Sequence, residues 1–236
     1  MKLLAFETAT EACSVALYLD GQVRERFELA PRRHAELSLP WAEALLAEAG
    51  VARSQLDAIA VGRGPGAFTG VRLAIALAQG IALALDRPVV PVSTLAVLAA
   101  SAPGEGGARI LACIDARMGE VYAGAFARDA DTLRPLSAER VLAPAAVELP
   151  GEGGEGGWQG VGTGFAAADG LLAQGMAGRL QAVDATALPH AADLARLAAA
   201  AFARGEAVAP ERAEPAYLRD NVALTLVQQQ ALRAAK

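Results

Sequence analysis

The chain has 236 residues, of which 54% are apolar, so it is long enough and apolar enough for one large globular domain or two small ones. Its formal charge of −5 argues against binding nucleic acid alone through a basic surface, because neutralising phosphates requires clustered Lys and Arg. Two cysteines without a CxxC pair and two histidines offer little for a disulfide or a metal. Residues 1–7 contain too short an apolar run for a signal peptide, which predicts a cytoplasmic protein.

The chain opens with three predicted antiparallel strands. Residues 2–6 and 13–19 are apolar runs of strand length, separated by a polar turn. Asp20-Gly21 is a strong signal for a two-residue hairpin, and residues 23–29 alternate apolar and polar side chains as a half-buried strand does.

A helix is predicted next, over residues 34–49, with Gly50 as its C-terminal cap. Pro40 lies inside this run, so the helix either begins near Ser38 or bends there.

Residues 62–72, with the sequence GRGPGAFTGVR, form a loop between a short buried strand at 56–61 and a long apolar helix at 71–85. Amide N–H groups at the start of that helix could hold a phosphate. The spacing matches neither the Walker pattern nor the dinucleotide fingerprint, however, so a structural glycine turn is favoured over a phosphate cradle.

The helix over residues 71–85 has only Arg72 and Gln79 as clearly polar side chains, so it has to be covered on all sides. Small residues recur along it at helical spacing: Gly70, Ala74, Ala78 and Ala82. This spacing predicts a closely packed partner helix; the alternative, weighed about evenly, is a central helix covered by its own domain. The run falls short of the ~20 apolar residues of a membrane span, which excludes a membrane protein.

The second half of the chain resembles the first. Residues 88–92 predict a strand and 94–100 a helix capped by Ser93, before a glycine-rich break at 103–107. Strands predicted at 110–114, 121–126 and 133–141 then repeat the three-strand opening. The predicted lobes are residues 1–102, completed by the C-terminal helix region, and residues 108–220. Further strands are predicted at 158–163 and 179–183, and further helices at 165–174, 191–204 and 218–236.

Two acidic residues stand where a nucleotide-using enzyme places its Mg²⁺ ligands, at the ends of the first strand of each half. These are Glu7 and Asp115. For Glu7, a contact with the backbone or an arginine is favoured over this role; for Asp115, an ion pair with Arg117 is equally plausible. No nucleophile elbow or zinc motif occurs, so the chain is poorly equipped for catalysis.

Five segments together resemble the bacterial TsaB (YeaZ) family: FETATEACSVAL at 6–17, GRGPGAFTGVR at 62–72, VSTLA at 92–96, IDARMGEVY at 114–122 and PAYLR at 215–219. The resemblance implies an α/β protein with the actin-like ATPase-domain (ASKHA) fold, built from two ribonuclease-H-like lobes in tandem. It also implies a non-catalytic subunit required for N6-threonylcarbamoyladenosine formation in tRNAs that read codons beginning with A.

The resemblance further implies partners and site residues. The partners are a TsaD-like catalytic subunit, a TsaE-like ATPase, a second copy of the chain when it is alone, and tRNA through the complex. No cofactor of its own is implied, although ATP or ADP can bind at the complex interface. Thr94 and Leu98 stand where the catalytic relative has its two metal-binding histidines, and Glu7-Thr8 replaces the Asp-Thr common in the family. The predicted partner interface comprises Leu37, Trp41, Leu45, Leu73, Ala74, Leu77, Ala78, Ile81 and Ala82, and the predicted nucleotide-proximal residues are Glu7, Thr8, Gly64, Gly66 and Asp115.

Two other hypotheses are kept. A small-molecule kinase of the same superfold would hold ATP-Mg²⁺ between Glu7, Asp115 and the glycine loops. A peptidase is suggested only by the older naming of such relatives, and the sequence shows no nucleophile that would support it.

Overall fold

The computed structural model describes residues 1–129, 132–151 and 157–219, which form two α/β lobes. In chain order the elements are β1 (Lys2–Glu7), β2 (Ala12–Leu19), β3 (Gln22–Leu29), α1 (His34–Ala49), β4 (Ala58–Gly62), α2 (Phe68–Leu85), β5 (Val89–Val92), α3 (Thr94–Ala100), β6 (Arg109–Arg117), β7 (Glu120–Asp129), β8 (Thr132–Pro135), β9 (Arg140–Leu142), β10 (Trp158–Val161), α4 (Leu171–Gly175), β11 (Leu180–Asp184) and α5 (Ala191–Ala203).

The first sheet has the strand order β3-β2-β1-β4-β5. β1, β2 and β3 are antiparallel neighbours, whereas β4 and β5 run parallel to β1 and to each other. β1 is buried on both faces, because Leu4 and Phe6 face α1 and α2 while Leu3 and Ala5 face α5. A continuous apolar run is what such a two-sided strand requires.

The second sheet repeats this topology. Its order is β11-β10-β6-β7-β8, with antiparallel β6, β7 and β8, and with β10 and β11 parallel to β6. Its third strand is interrupted, since β8 and β9 both pair with β7 where one strand was predicted over residues 133–141. The predicted duplication of the three-strand opening is therefore confirmed.

The helix that follows each sheet packs on the sheet of the other lobe. α3 follows β5 but places Leu95 and Leu98 against Ile110 and Phe126 of the second sheet. α5 follows β11 but places Leu194 and Ala198 on the first sheet. α3 and α5 thus exchange lobes, because contacts across the whole chain decide where each helix lies.

α1 and α2 cover the other face of the first sheet. Among the residues that the structure describes, α2 has the length and composition of a membrane-crossing helix. One of its sides, however, packs on β1 and β4 through Ala74, Ala78 and Ala82, as in a core helix.

The helix predicted over residues 34–49 is confirmed, the one predicted over 165–174 is shorter in the structure, and the one predicted over 218–236 lies almost entirely outside the described residues. α1 begins at His34 and contains Pro40, and the hydroxyl of Ser38 donates to the His34 carbonyl in its first turn. The helix predicted over 165–174 is reduced to α4, preceded by short 3-10 turns. The helix predicted over 218–236 lies, beyond residue 219, outside the described residues.

Candidate functional site

The glycine-rich loop between β4 and α2 packs directly against the turn between β1 and β2. A Cβ atom on Gly70 would overlap the carbonyl oxygen of Thr8, and one on Gly66 would overlap that of Ala9. The Thr8 hydroxyl donates to the Gly70 carbonyl at 2.7 Å, and the Ala67 amide donates to the Ala9 carbonyl at 2.7 Å. The glycines are thus required for close backbone approach, which supports a structural turn.

Glu7 points into the protein interior at the end of β1. Its carboxylate accepts hydrogen bonds from the Ala9 amide at 2.8 Å and the Thr94 hydroxyl at 3.0 Å, and it fills the space beside Gly62. Burial raises the pKa of Glu7 from 4.5 to about 7, although these hydrogen bonds oppose the shift. The Gly64 amide donates to the same Thr94 hydroxyl at 3.2 Å, so Gly64 belongs to this buried network.

A cleft of about 980 Å³ lies between the lobes, next to this network. Of the five predicted nucleotide-proximal residues, Thr8, Gly66 and Asp115 line it, whereas Glu7 and Gly64 lie beneath its wall. Their proximity to a nucleotide stays a prediction.

The carboxylate of Asp115 is held by hydrogen bonds within its own turn. Its carboxylate accepts from the Arg117 amide at 2.8 Å and from the Arg117 guanidinium at 3.0 Å, as in the predicted ion pair. Arg117 and Met118 adopt left-handed backbone conformations, with φ of 64° and 57°, and both are exposed. With Glu7 turned into the core and Asp115 held by Arg117, the two carboxylates do not fit a shared Mg²⁺ site.

Residues 215–219 form one wall of the cleft, a position that local sequence patterns did not predict. The Ala216 amide donates to the Arg63 carbonyl at 2.8 Å, and the Tyr217 hydroxyl accepts from Arg72 at 2.8 Å. Arg219 then reaches the second lobe, where it binds Glu120 at 2.6 Å and the Ala116 carbonyl at 3.1 Å. Nothing in the local sequence signals these contacts, since each joins positions about a hundred residues apart or more.

The predicted partner interface divides into two groups. The side chains of Leu37, Leu45, Ala74, Ala78 and Ala82 are buried in the core of the chain itself. The three alanines face the first sheet, and Leu37 and Leu45 are buried on α1, so a contact of these five residues with a partner stays a prediction. The remaining four are half-buried: Trp41, Leu73, Leu77 and Ile81.

Thr94 and Leu98 are fully buried in α3. The Thr94 hydroxyl is occupied by Glu7 and Gly64, and Leu98 packs against the second sheet, so neither position presents a metal ligand. In the described parts of the chain, no group of three or more His, Cys, Asp or Glu side chains could hold a metal ion.

Two lobes of one topology, with exchanged helices and a cleft between them, define the actin-like ATPase-domain fold. The family model of TsaD, tRNA N6-adenosine threonylcarbamoyltransferase, matches residues 27–226. The chain belongs to the TsaB (YeaZ) family.

Three relatives establish this membership. The tRNA threonylcarbamoyladenosine biosynthesis protein TsaB of Escherichia coli (strain K12) is 45% identical, covering 94% of this chain and 96% of that protein. The protein of the same name from Haemophilus influenzae is 36% identical over 94% of this chain and 95% of its own length. The solved structure of YeaZ from Pseudomonas aeruginosa superposes with a TM-score of 0.84 at 49% identity, covering 92% of this chain and 99% of that one.

Proposed function

We propose that this chain is a non-catalytic subunit in the formation of N6-threonylcarbamoyladenosine in tRNAs that read codons beginning with A. It supports a TsaD-like catalytic subunit, with which a TsaE-like ATPase assembles, and it pairs with a second copy of itself when alone. The names of its relatives support the pathway. The observation that carries the subunit role is the apolar outer face of α2.

This outer face consists of Leu73, Leu77, Gly80 and Ile81, which lie on one side of the helix at spacings of three and four residues. Leu77 and Ile81 are half-buried because they also pack against the core of the first lobe, whereas Leu73 is half-buried outside that core and Gly80 is exposed. Trp41 of α1 is half-buried in the same way. Completing the burial of each leucine or isoleucine against a partner would contribute roughly 1 kcal/mol, about half the value for a fully exposed side chain.

A non-catalytic role is supported by the side chains at the positions where a related enzyme would bind a metal or a nucleotide. The positions of the relative's metal-binding histidines are occupied by buried Thr94 and Leu98. The kinase alternative needs free carboxylates in the cleft, whereas Glu7 is buried and Asp115 is paired with Arg117. In this proposal, ATP or ADP binds at the interface of the complex, which acts on tRNA in the cytoplasm.

Light-scattering mass measurement of the purified chain, alone and mixed with the TsaD-like protein of its organism, tests the proposal. Wild type is expected to form a dimer alone and a one-to-one complex in the mixture. Gly80→Arg is expected to abolish both, because a long charged side chain then projects from the outer face of α2. A Cβ atom at Gly80 meets nothing within 4 Å and arginine is a good helix former, so the variant is expected to fold.

Gly175→Arg is the matched control. Gly175 is also exposed, helical and free of neighbours within 4 Å of an added Cβ, but it lies in α4 of the second lobe. Both assemblies are expected to persist in this variant. A wild-type chain that stays monomeric and indifferent to the TsaD-like protein would refute the subunit role.

A further inference from the structure

Two aromatic side chains at the rim of the cleft are more exposed than aromatic residues usually are. Phe68, the first residue of α2, is 70% exposed, and Tyr217 is 62% exposed. Both line the cleft. Large apolar side chains that stay open to solvent around a concavity commonly mark a binding surface.

Arg72 lies between these two rings. Its guanidinium carbon is 3.3 Å from the centroid of the Phe68 ring and 5.0 Å from that of Tyr217. Hydrogen bonds to the Phe68 carbonyl at 3.1 Å and the Tyr217 hydroxyl at 2.8 Å fix its position. We call Phe68, Arg72 and Tyr217 the aromatic rim. These contacts fix the two aromatic rings and the planar guanidinium relative to one another.

The charge of the cleft is opposite to that of the chain. The chain carries a formal charge of −5, but the residues lining the cleft include four arginines and two acidic side chains. The arginines are Arg32, Arg72, Arg117 and Arg219, and the acidic residues are Glu11 and Asp115. Because Arg117 is paired with Asp115 and Arg219 with Glu120, the positive charge next to the flat stacking surfaces comes mainly from Arg32 and Arg72.

The aromatic rim adjoins the outer face of α2 at Leu73, which also lines the cleft, but the two surfaces point in different directions. Successive residues of a helix are rotated by ~100°, so Phe68 and Arg72 point to a different side from Leu73 and Leu77. That side faces the C-terminal segment, where Gln79 also donates to the Ala213 carbonyl at 3.2 Å. A partner on the outer face and a ligand on the rim can therefore be bound together.

We infer that the aromatic rim binds unpaired bases of single-stranded RNA, with Arg32 of the cleft facing the phosphates. Single-stranded RNA is recognised by stacking its bases on aromatic rings and guanidinium planes within positively charged grooves. The inference rests on the proposed function, because that function supplies tRNA as the RNA. It adds a direct contact between this chain and an unpaired segment of the tRNA.

Fluorescence anisotropy of a labelled single-stranded RNA oligonucleotide tests this inference, with the full chain alone and in its complex with the TsaD-like protein. Phe68→Ala and Tyr217→Ala are each expected to weaken binding at least about fivefold, the lower end of the loss for one stacked base. Arg32→Gln is expected to reduce the slope of log affinity against log salt by ~0.7, the value for one phosphate contact on a single strand. Leu171→Ala and Arg196→Gln, at exposed positions of α4 and α5, are expected to change neither quantity.

Four outcomes would overturn the inference. If the complex assembles but neither it nor the free chain binds the oligonucleotide, the rim inference fails while the subunit role stands; if no complex forms, the subunit role fails. If the same RNA as a full duplex binds equally well, or ATP binds and displaces the single strand, the site does not read unpaired RNA bases. If Phe68→Ala weakens assembly with the TsaD-like protein and leaves RNA binding unchanged, the rim is a protein contact.

Discussion

At the scale of single residues, Glu7 contributes to the way the stability of the chain depends on pH. Its folded-state pKa of about 7 lies above the ordinary value of 4.5, because the carboxyl group is buried. Between these pH values the folded state binds more protons than the unfolded state, so the free energy of unfolding falls as pH rises through this interval. The contribution of Glu7 is thus fully favourable below about pH 4.5 and is lost by about pH 7, a change of about 3 kcal/mol.

Glu7→Gln is expected to remove this pH dependence, because an amide does not titrate. Urea unfolding at pH 4.5 and pH 8 would measure it: the stability of wild type relative to the variant should fall by up to about 3 kcal/mol across the interval. Parallel changes in the two proteins would show that the pKa of Glu7 is the same in the folded and unfolded states, contrary to this expectation.

At the scale of elements, the same substitution of glycine by alanine is expected to have opposite effects on the two sides of α2. Gly80→Ala is expected to raise the free energy of unfolding by about 0.4–1 kcal/mol, since the site is open and alanine restricts the unfolded chain. Gly70→Ala is expected to lower it by about 1–3 kcal/mol, because the new methyl group overlaps the Thr8 carbonyl. Urea denaturation of both variants measures the contrast, and equal effects would contradict the assignment of inner and outer faces.

At the scale of the whole molecule, Arg219 ties the C-terminal segment to the second lobe. Its side chain is 19% exposed and binds Glu120 and the Ala116 carbonyl, while Ala216 and Tyr217 hold the same segment to the first lobe. Arg219→Ala is expected to speed hydrogen exchange of the Ala216 amide, because one anchor of the segment is lost.

Arg204→Ala provides the control, since it removes a paired arginine whose partner, Glu206, lies only two residues away along the chain. Exchange at Ala216 should be unchanged in this control. Equal exchange rates at Ala216 in wild type and Arg219→Ala would show that the segment is held by the first lobe alone.

Much of the fold could be predicted because its signals are local. The Asp20-Gly21 hairpin, the apolar strands and the Ser93 cap of α3 each depend on a few neighbouring residues, and all three are present in the structure. The duplicated strand pattern was visible for the same reason. Thr8, Gly66 and Asp115 were predicted to lie near a nucleotide and they line the cleft, whereas Phe68, Arg72, Tyr217 and Arg219, which also line it, were not predicted as site residues.

The sequence by itself determined the elements, the repeat and the family, since these follow from side-chain periodicity, turn chemistry and motifs that lie within short stretches. Only the tertiary structure decided which side of α2 faces inward, because an almost uniformly apolar helix carries no polar stripe to mark its exposed side. It also decided that Glu7 points into the core and that α3 and α5 exchange lobes. These features depend on packing between residues far apart in the chain, which short-range patterns do not encode.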